Sequence, residues 1–252
     1  MCNHETIDSE EKSRLLERQL EKTREEREMY IEKEDGWKYE GEWLKGNDKL
    51  NEGKVREGYG IFLNKGGNCI YEGYWKNSKR HYKGREIWLG YGTYDGEFED
   101  NMKQGSGEHV YVNGDRYFGM FEKDHRHGHG QYNYANGAEY NGDFKKGLRH
   151  GEGTYKYANG TCYTGDFVNG KRHGKGIFTW PDGRRYEGEW MNDIREGHGA
   201  MTHKSGHTWV GPFKMNVENG IGLWKHPGER GKVESGYRWI NGKPDKFVSV
   251  ME

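Results

Sequence analysis

Three histidines stand at alternate positions in the stretch His125-Arg-His127-Gly-His129. Alternate residues of a β-strand point to the same face, so a strand would bring three imidazoles together, and imidazole is a ligand that zinc and copper prefer. However, His127 belongs to a periodic series that comprises His81, His127, His150 and His173. The periodicity accounts for His127 without a metal, and we expect neither a metal nor another cofactor.

Other patterns that carry chemistry are weak. The sequence has no Ser/His/Asp or Cys/His set with local support, and no carboxylate pair outside the periodic pattern. Its Gly-x-Gly pairs do not follow a strand and open a helix, as a phosphate cradle requires. The three cysteines, Cys2, Cys69 and Cys162, share no metal-ligand spacing and favour a reducing compartment. We therefore expect a cytoplasmic protein that is not an enzyme.

The amino-acid composition narrows the range of possible folds and excludes one class of partner. Of the 252 residues only 31% are hydrophobic, yet 14% are aromatic and 41 are glycine. Aromatic residues on a glycine background favour an open kind of β-structure over a conventional two-layer core. A net charge of -1 gives no electrostatic footprint for nucleic acid, which we exclude as a partner.

The sequence is periodic. The pattern aromatic-x-Gly-x-aromatic begins at 23-residue intervals, at Tyr71, Tyr94, Tyr117, Tyr140, Tyr163, Tyr186 and Trp209. An earlier unit begins at Tyr39 and carries an insertion around residues 46–56. Such an irregular first unit is expected at the end of a repeat array.

Two turn signals alternate with the strands. Asn-Gly and Asp-Gly dipeptides such as Asn159-Gly160 favour a two-residue hairpin of type I′, because both central residues of that turn need positive φ. Turn-like residues also occur at Asn169-Gly170. Each unit is therefore predicted to be strand, turn, strand, turn. The predicted fold is mainly β, an elongated single-layer antiparallel β-meander.

Glycine and aromatic residues are expected to form a ladder across the strands. Tyr163, Gly165 and Phe167 share one face of a strand, as Gly151 and Gly153 do on the strand before it. A ring that covers a neighbouring glycine backbone would stabilise an intrinsically weak glycine strand. The predicted ladder comprises Gly151, Gly153, Tyr155, Tyr163, Gly165, Phe167, Gly174, Gly176, Phe178, Tyr186, Gly188 and Trp190.

Arginine recurs beside the histidine position and should form a row along one rim of the sheet. Its members are Arg80, Arg126, Arg149, Arg172 and Arg195. One interpretation is a site for an anionic partner, either phosphoinositide headgroups or an acidic protein tail. The other interpretation is a solvated row of charges interleaved with Glu and Asp.

A second series of rings follows the glycines, at Tyr132, Tyr134, Tyr155, Tyr157, Phe178 and Trp180. These rings belong either to the core of the sheet or to a groove for a partner helix. In a single-layer sheet the same face can serve both purposes. Tyr157 and Trp180 are accordingly candidate partner-binding residues, as are Arg126, Arg149 and Arg172.

Residues 1–36 are predicted to form a charged helix. Residues 1–35 hold seven Lys or Arg and twelve Asp or Glu, a net charge of -5, and residues 8–35 lack Gly and Pro. The apolar stripe of Leu16, Leu20 and Tyr30 is thin. The helix could dock on a partner or on its own sheet, form a weak homomeric coiled coil, or serve as a solvated spacer.

The 23-residue pattern Tyr-x-Gly-x-aromatic, Arg-His-Gly-x-Gly, Asn/Asp-Gly resembles the MORN (membrane occupation and recognition nexus) repeat. The resemblance covers residues 37–242, as eight repeats and a degenerate last unit, and leaves 243–252 as a tail. A short protein made of such repeats and ending in a segment like Gly236-Tyr237-Arg238 is similar to the MORN component of the axonemal radial spoke head.

This resemblance implies a structural scaffold in the cytoskeleton of the cilium, within the axoneme. Its expected partners are other subunits of a multiprotein complex, namely radial spoke head proteins, and a homodimer is possible. The alternatives are a peripheral membrane adaptor that binds anionic phospholipids and a cytoskeletal adaptor that binds a partner helix. In some family members a catalytic domain follows the repeats, whereas here the repeats run to within about ten residues of the last residue.

Overall fold

The computed structural model describes residues 37–44, 55–227 and 234–248, and their regular structure is all β-strand. The predicted helix of residues 1–36, with Leu16, Leu20 and Tyr30, lies outside the described residues. In the three described ranges there is no helix with the length and hydrophobicity that crossing a bilayer requires.

The chain divides into two compact units after Leu89. The first contains four strands, which are β1 (Lys38–Leu44), β2 (Val55–Leu63), β3 (Cys69–Lys76) and β4 (Lys79–Trp88). Each strand pairs antiparallel with the next one in sequence. The first unit is therefore a β-meander, and residues 45–54, between β1 and β2, lie outside the described residues.

The second unit, from Gly90 onwards, repeats the same arrangement. Its strands are β5 (Gly92–Glu99), β6 (Met102–Tyr111), β7 (Arg116–Glu122), β8 (His125–Asn133), β9 (Glu139–Lys145), β10 (Leu148–Lys156), β11 (Cys162–Val168), β12 (Lys171–Thr179), β13 (Arg185–Met191), β14 (Ile194–Thr202), β15 (Thr208–Lys214), β16 (Val217–Glu218), β17 (Gly220–Lys225), β18 (Glu234–Ile240) and β19 (Lys243–Val248).

Antiparallel pairing between sequential strands confirms the predicted single-layer β-meander. Among the described strands of the second unit, no second layer packs on the sheet. One boundary differs from the prediction, because residues 243–252 were assigned to a tail and the structure places strand β19 at Lys243–Val248. That segment has few apolar residues, so it lacks the clear alternation of apolar and polar residues that predicts a strand.

The two turns of each repeat are of different types, and the type I′ turn is not where the sequence places it. At Asn169-Gly170 both residues have positive φ, 51° and 83°, as type I′ requires. At Asn159-Gly160 only Gly160 does, at 82°. There the Gly160 N–H donates to the Tyr157 carbonyl at 2.9 Å and the Asn159 side chain accepts the Thr161 N–H at 3.0 Å. Asn159 thus stabilises a type I turn that ends in a left-handed glycine.

Each repeat also carries a β-bulge. Gly153 is opposite Gly142 and Arg149 is opposite Phe144, so β10 has two more residues than β9 between these pairs. Gly151 lies within the bulge with φ of 61°. On its other side β10 pairs regularly with β11, where Gly151 is opposite Phe167 and Gly153 is opposite Gly165. The bulge therefore interrupts the pairing of β10 with β9 and leaves its pairing with β11 regular.

Candidate interaction surface

The first ring of each repeat is fully buried although the sheet has one layer. The largest fully buried side chains are Tyr39, Tyr71, Tyr94, Tyr117, Tyr140, Tyr163, Tyr186 and Trp209. Seven of these are tyrosines, and each tyrosine hydroxyl donates to the backbone carbonyl three residues further on, at 2.8–3.1 Å. This hydrogen bond satisfies the hydroxyl where water cannot reach it.

Glycine makes that burial possible. A Cβ at Gly176 would lie 2.6 Å from Cζ of Tyr163, and a Cβ at Gly165 would lie 2.5 Å from Cα of Gly176. The ring of Tyr163 therefore lies flat over the glycine pair of β11 and β12. Gly188 is related in the same way to Tyr186, with 2.6 Å between its Cβ position and the hydroxyl oxygen.

A second ring packs edge-on against the first from above. The ring centroids of Tyr163 and Phe167 are 5.1 Å apart at an interplanar angle of 86°, and Trp190 of the next repeat is 5.4 Å from Tyr163 at 84°. Edge-to-face contacts at this distance are favourable. Each buried tyrosine of the second unit is thus enclosed by glycine backbone below and by rings of two repeats above. We call the side of the second unit's sheet that carries these rings the ring face.

The two glycines of a Gly-x-Gly pair have different environments, which corrects the expectation that both lie beneath a ring. A Cβ at Gly153 would meet the ring of Tyr140, whereas the nearest side chain to Gly151 is the Asp143 carboxylate. In the next repeat the Asp166 carboxylate accepts the Lys175 N–H at 2.9 Å beside Gly174. The first glycine therefore permits the bulge, and a carboxylate on the other face satisfies the backbone amide there.

The predicted arginine row exists, but its side chains pack on the rings and do not form a solvated rim. The Cζ atom of Arg149 lies 4.8 Å from the Tyr155 ring centroid and 5.2 Å from that of Phe167. Its Nη2 donates to the carbonyl of Gly170, in the turn of the next repeat, at 2.8 Å. Arg149 thereby joins two repeats through cation–π contacts and a hydrogen bond.

Arg126 and Arg172 are placed in the same way. Arg126 lies 4.8 Å from the Tyr132 ring and donates to Gly147. Arg172 lies 4.3 Å from the Trp190 ring, and its Nε is 2.9 Å from Asp193 Oδ1. All three side chains are half-buried. Charge alone indicated exposure for these residues, and the aromatic neighbours on both sides of each arginine are the signal that could have indicated burial.

The second series of rings forms a continuous row on the ring face. Consecutive centroids are 4.4–6.0 Å apart from Tyr132 through Tyr134, Tyr155, Tyr157 and Phe178 to Trp180. Tyr132 and Phe178 are buried, whereas the other four are partly exposed. We call these six residues the aromatic strip. It brings together Tyr157 and Trp180, which the sequence proposed as partner-binding residues.

The strip is apolar with polar edges. Burial raises the pKa of Tyr157, and the positive charge of Arg172 opposes that rise. Arg184 lies 4.9 Å from the ring centroid of Trp180 and is paired with Asp182. Partly exposed rings with nearby cations are typical of binding surfaces for proteins.

Two of the three histidines of the first motif lie beside different carboxylates. Nδ1 of His127 lies 3.1 Å from Glu122 Oε2, and Nδ1 of His129 lies 3.2 Å from Asp143 Oδ1. Within the described ranges no three His, Cys, Asp or Glu residues are grouped closely enough to hold one metal ion. The bulge between Arg126 and Gly130 interrupts the regular alternation on which the three-imidazole interpretation depended.

Two exposed apolar residues on the opposite face were missed. Phe118 and Met120 are 62% and 44% exposed, at positions that are Asn141 and Asp143 one repeat later. A comparison of each repeat with its neighbours would have indicated them.

A sheet of 23-residue repeats that buries rings on glycine and presents a row of further rings is typical of a β-repeat interaction scaffold. The profile of the MORN repeat family matches residues 71–88, 94–116, 117–139, 140–162, 163–184 and 186–208, a little over half of the chain. The chain therefore belongs to the MORN-repeat family. The MORN repeat is a module for protein interaction and not a catalytic one.

Some solved structures also resemble this chain. One is the TCP domain of Drosophila melanogaster SAS-4 (dCPAP) in complex with a proline-rich motif of Ana2 (dSTIL), with 14% identity, a TM-score of 0.36, and coverage of 58% of this chain and 84% of that chain. Another is the TCP10 domain of Danio rerio CPAP with a STIL peptide, with 9% identity, a TM-score of 0.31, and coverage of 88% and 98%. Comparison with curated protein sequences gives no match.

Proposed function

We propose that this protein is a non-enzymatic scaffold, a protein-interaction subunit of a large cytoskeletal assembly. The observation that carries the proposal is the aromatic strip, a row of six rings, four of them partly exposed, on a sheet face that no second layer covers in the described residues. The buried tyrosines, the glycines they cover and the arginines that lie beside the strip would supply a rigid support. A rigid surface binds at a lower entropic cost than a flexible one.

The assembly we propose is the radial spoke head of motile cilia, with other spoke head proteins as partners in the axoneme. Membership of the MORN-repeat family supports this proposal, as does the terminal segment Gly236-Tyr237-Arg238, which lies in strand β18. In this role the sheet would hold neighbouring subunits at fixed distances, and a homodimer would be one way to present two strips.

Binding of anionic lipid through the arginine row has less support than the scaffold role. Arg126, Arg149 and Arg172 are half-buried and donate to backbone carbonyls within the sheet. A headgroup would have to replace these contacts, and the guanidinium groups would leave their rings.

The test is to express a tagged chain in a ciliated cell, locate it, and extract the cells with salt. We expect signal along the axoneme and retention with named spoke head proteins identified by mass spectrometry. The variant Trp180→Ala should reduce retention, and the matched variant Phe118→Ala on the opposite face should not. Signal on membranes that salt removes would contradict the scaffold and support lipid binding.

A further inference from the structure

The aromatic strip has a repeat distance that identifies the kind of segment that fits it. Equivalent rings, Tyr134, Tyr157 and Trp180, recur once per repeat. Each repeat adds two strands, and strands lie about 4.8 Å apart, so these rings recur about every 9.6 Å across the strands. A segment that lies along the strip should present equivalent side chains at the same spacing.

Polyproline II conformation matches this spacing best among the regular conformations. It has three residues per turn and rises about 3.1 Å per residue, so one side recurs about every 9.3 Å. An α-helix presents the same side once per turn, about every 5.4 Å, so the side chains nearest to the ring spacing are two turns apart, at about 10.8 Å. Alternate residues of a β-strand recur about every 6.8 Å. Over the two intervals from Tyr134 to Trp180 a helix would drift by about 2.4 Å and polyproline II by about 0.6 Å.

Hydrogen-bond donors on the strip favour the same conformation. The Tyr157 hydroxyl and the Trp180 Nε1 make no hydrogen bond within the described part of the chain. A helix satisfies its own carbonyls, whereas the carbonyls of polyproline II are free to accept. Tyr157 and Trp180 can therefore donate to the backbone of such a segment, in the way that aromatic-lined grooves bind proline-rich peptides.

Charge determines which side chains the segment should carry. Arg126 and Arg149 form no ion pair within the described residues, and their guanidinium groups lie on the rings of Tyr132 and Tyr155. Burial raises the pKa of Tyr134, the charges of Arg149 and Arg126 oppose that rise, and the charge of Asp115 adds to it, so two cations and one carboxylate act on this part of the strip. A segment with carboxylates would complement this positive potential.

We propose that the aromatic strip binds a proline-rich, acidic segment of a partner protein in polyproline II conformation, oriented across the strands. The proposal rests on the proposed function and specifies the chemistry of the partner. Prolines would lie between successive rings of the strip. Acidic residues at every third position would be attracted by the positive potential of Arg126 and Arg149, whose guanidinium groups would keep their contacts with the rings and backbone carbonyls.

The test is fluorescence polarisation with the full chain and a labelled peptide of repeated Pro-Pro-Glu triplets. Control peptides carry Pro-Pro-Lys triplets, or glutamate at every fourth position in place of every third. We expect binding of the Pro-Pro-Glu peptide that weakens with salt and is weaker by about tenfold or more for both controls. Equal binding of the controls would overturn the spacing and charge argument.

Variants locate the binding. We expect Tyr157→Phe, which removes one hydroxyl and keeps the ring, to weaken binding several-fold, Trp180→Ala to weaken it about tenfold, and Phe118→Ala to leave it unchanged. A matched melting temperature for Tyr157→Phe excludes unfolding as the cause. Binding that none of the strip variants changes would overturn the proposal.

Binding of a labelled amphipathic acidic helix distinguishes the polyproline proposal from the broader proposal that the protein is an interaction scaffold. If the helix binds and strip variants abolish its binding while the proline-rich peptide does not bind, the polyproline proposal is wrong and the scaffold proposal stands. If the strip variants retain spoke head proteins as well as the wild type does, the aromatic strip is not the binding surface. In that case both the polyproline proposal and the scaffold proposal are wrong.

Discussion

The ring of Tyr163 occupies the space in which a side chain at residue 176 would lie, and Gly176 is therefore glycine for steric reasons and not for flexibility. A Cβ there would be 2.5 Å from Cε2 of the ring. Gly176 is not one of the glycines with positive φ, so its backbone conformation does not itself require glycine. The same relation joins Tyr140 to Gly153 and Tyr186 to Gly199. One ring and one glycine per repeat give the sheet its core.

We predict that Gly176→Ala destabilises the protein more than Gly170→Ala. The first change forces a methyl group into the Tyr163 ring and should cost about 3 kcal/mol of unfolding free energy. Gly170 has φ of 83° and open space around its Cβ position, so alanine there should cost about 1 kcal/mol of backbone strain. Urea unfolding of the two variants measures the difference. Equal losses would show that the ring can move aside.

We predict that Arg149 stabilises the folded protein through its contacts and is not simply a solvated surface charge. Arg149→Met removes the contacts with Tyr155 and Phe167 and the hydrogen bond to Gly170, and we expect a loss of about 2 kcal/mol. The control is Lys156→Met, whose 65% exposed side chain lies 3.7 Å from Glu139, with an expected loss below about 0.5 kcal/mol. The loss for Arg149→Met should persist at high salt, because a half-buried contact is weakly screened. A loss that salt abolishes would indicate an exposed charge.

Alkaline pH should destabilise the sheet through its buried phenols. Burial raises the pKa of Tyr186 from its ordinary value of 10.0 to about 12, and Arg195 opposes the rise. Between these values the unfolded chain releases the proton and the folded chain keeps it, so stability is fully present below pH 10 and is lost as pH rises toward about 12.

The variant Tyr186→Phe tests this linkage. It has no proton to release at this position, so its unfolding free energy should fall less between these two pH values than that of the wild type. At neutral pH the variant should be less stable, since it lacks the hydrogen bond to the Glu189 carbonyl. Thermal unfolding across the pH range measures both effects, and parallel curves for the two proteins would contradict the prediction.

Tyr82 occupies a position that is glycine in the later repeats, and we predict that Tyr82→Gly stabilises the protein by about 1 kcal/mol. Its φ is 55°, in the left-handed region, and its side chain is 58% exposed. Glycine would relieve the strain and forfeit little burial. The reciprocal control is Gly174→Ala, with φ of 57° and the Asp166 carboxylate adjacent, which should destabilise. A destabilised Tyr82→Gly variant would show that the Tyr82 ring contributes more than its backbone costs.

The sequence predicts the strands well because one period fixes both the spacing of Tyr163 from Tyr186 and the face on which each lies. It predicts the turns less well, since Asn159-Gly160 and Asn169-Gly170 are the same dipeptide in two different turns. The turn type depends on the bulge at Gly151 and on hydrogen bonds to neighbouring strands, which a dipeptide does not encode. The polarity of Arg149 does not predict its environment, because the sheet brings the rings of Tyr140 and Phe167 from the two neighbouring strands against it.

The most direct test of the central claim places a photoreactive phenylalanine analogue at Trp180, and in a second protein at Phe118, in cells with assembled cilia. The two positions lie on opposite faces of the sheet in the second unit. If the aromatic strip is the interaction surface, illumination should link the chain to a spoke head protein from position 180 and not from position 118. Crosslinks from position 118 alone, or from neither position in assembled axonemes, would contradict the account.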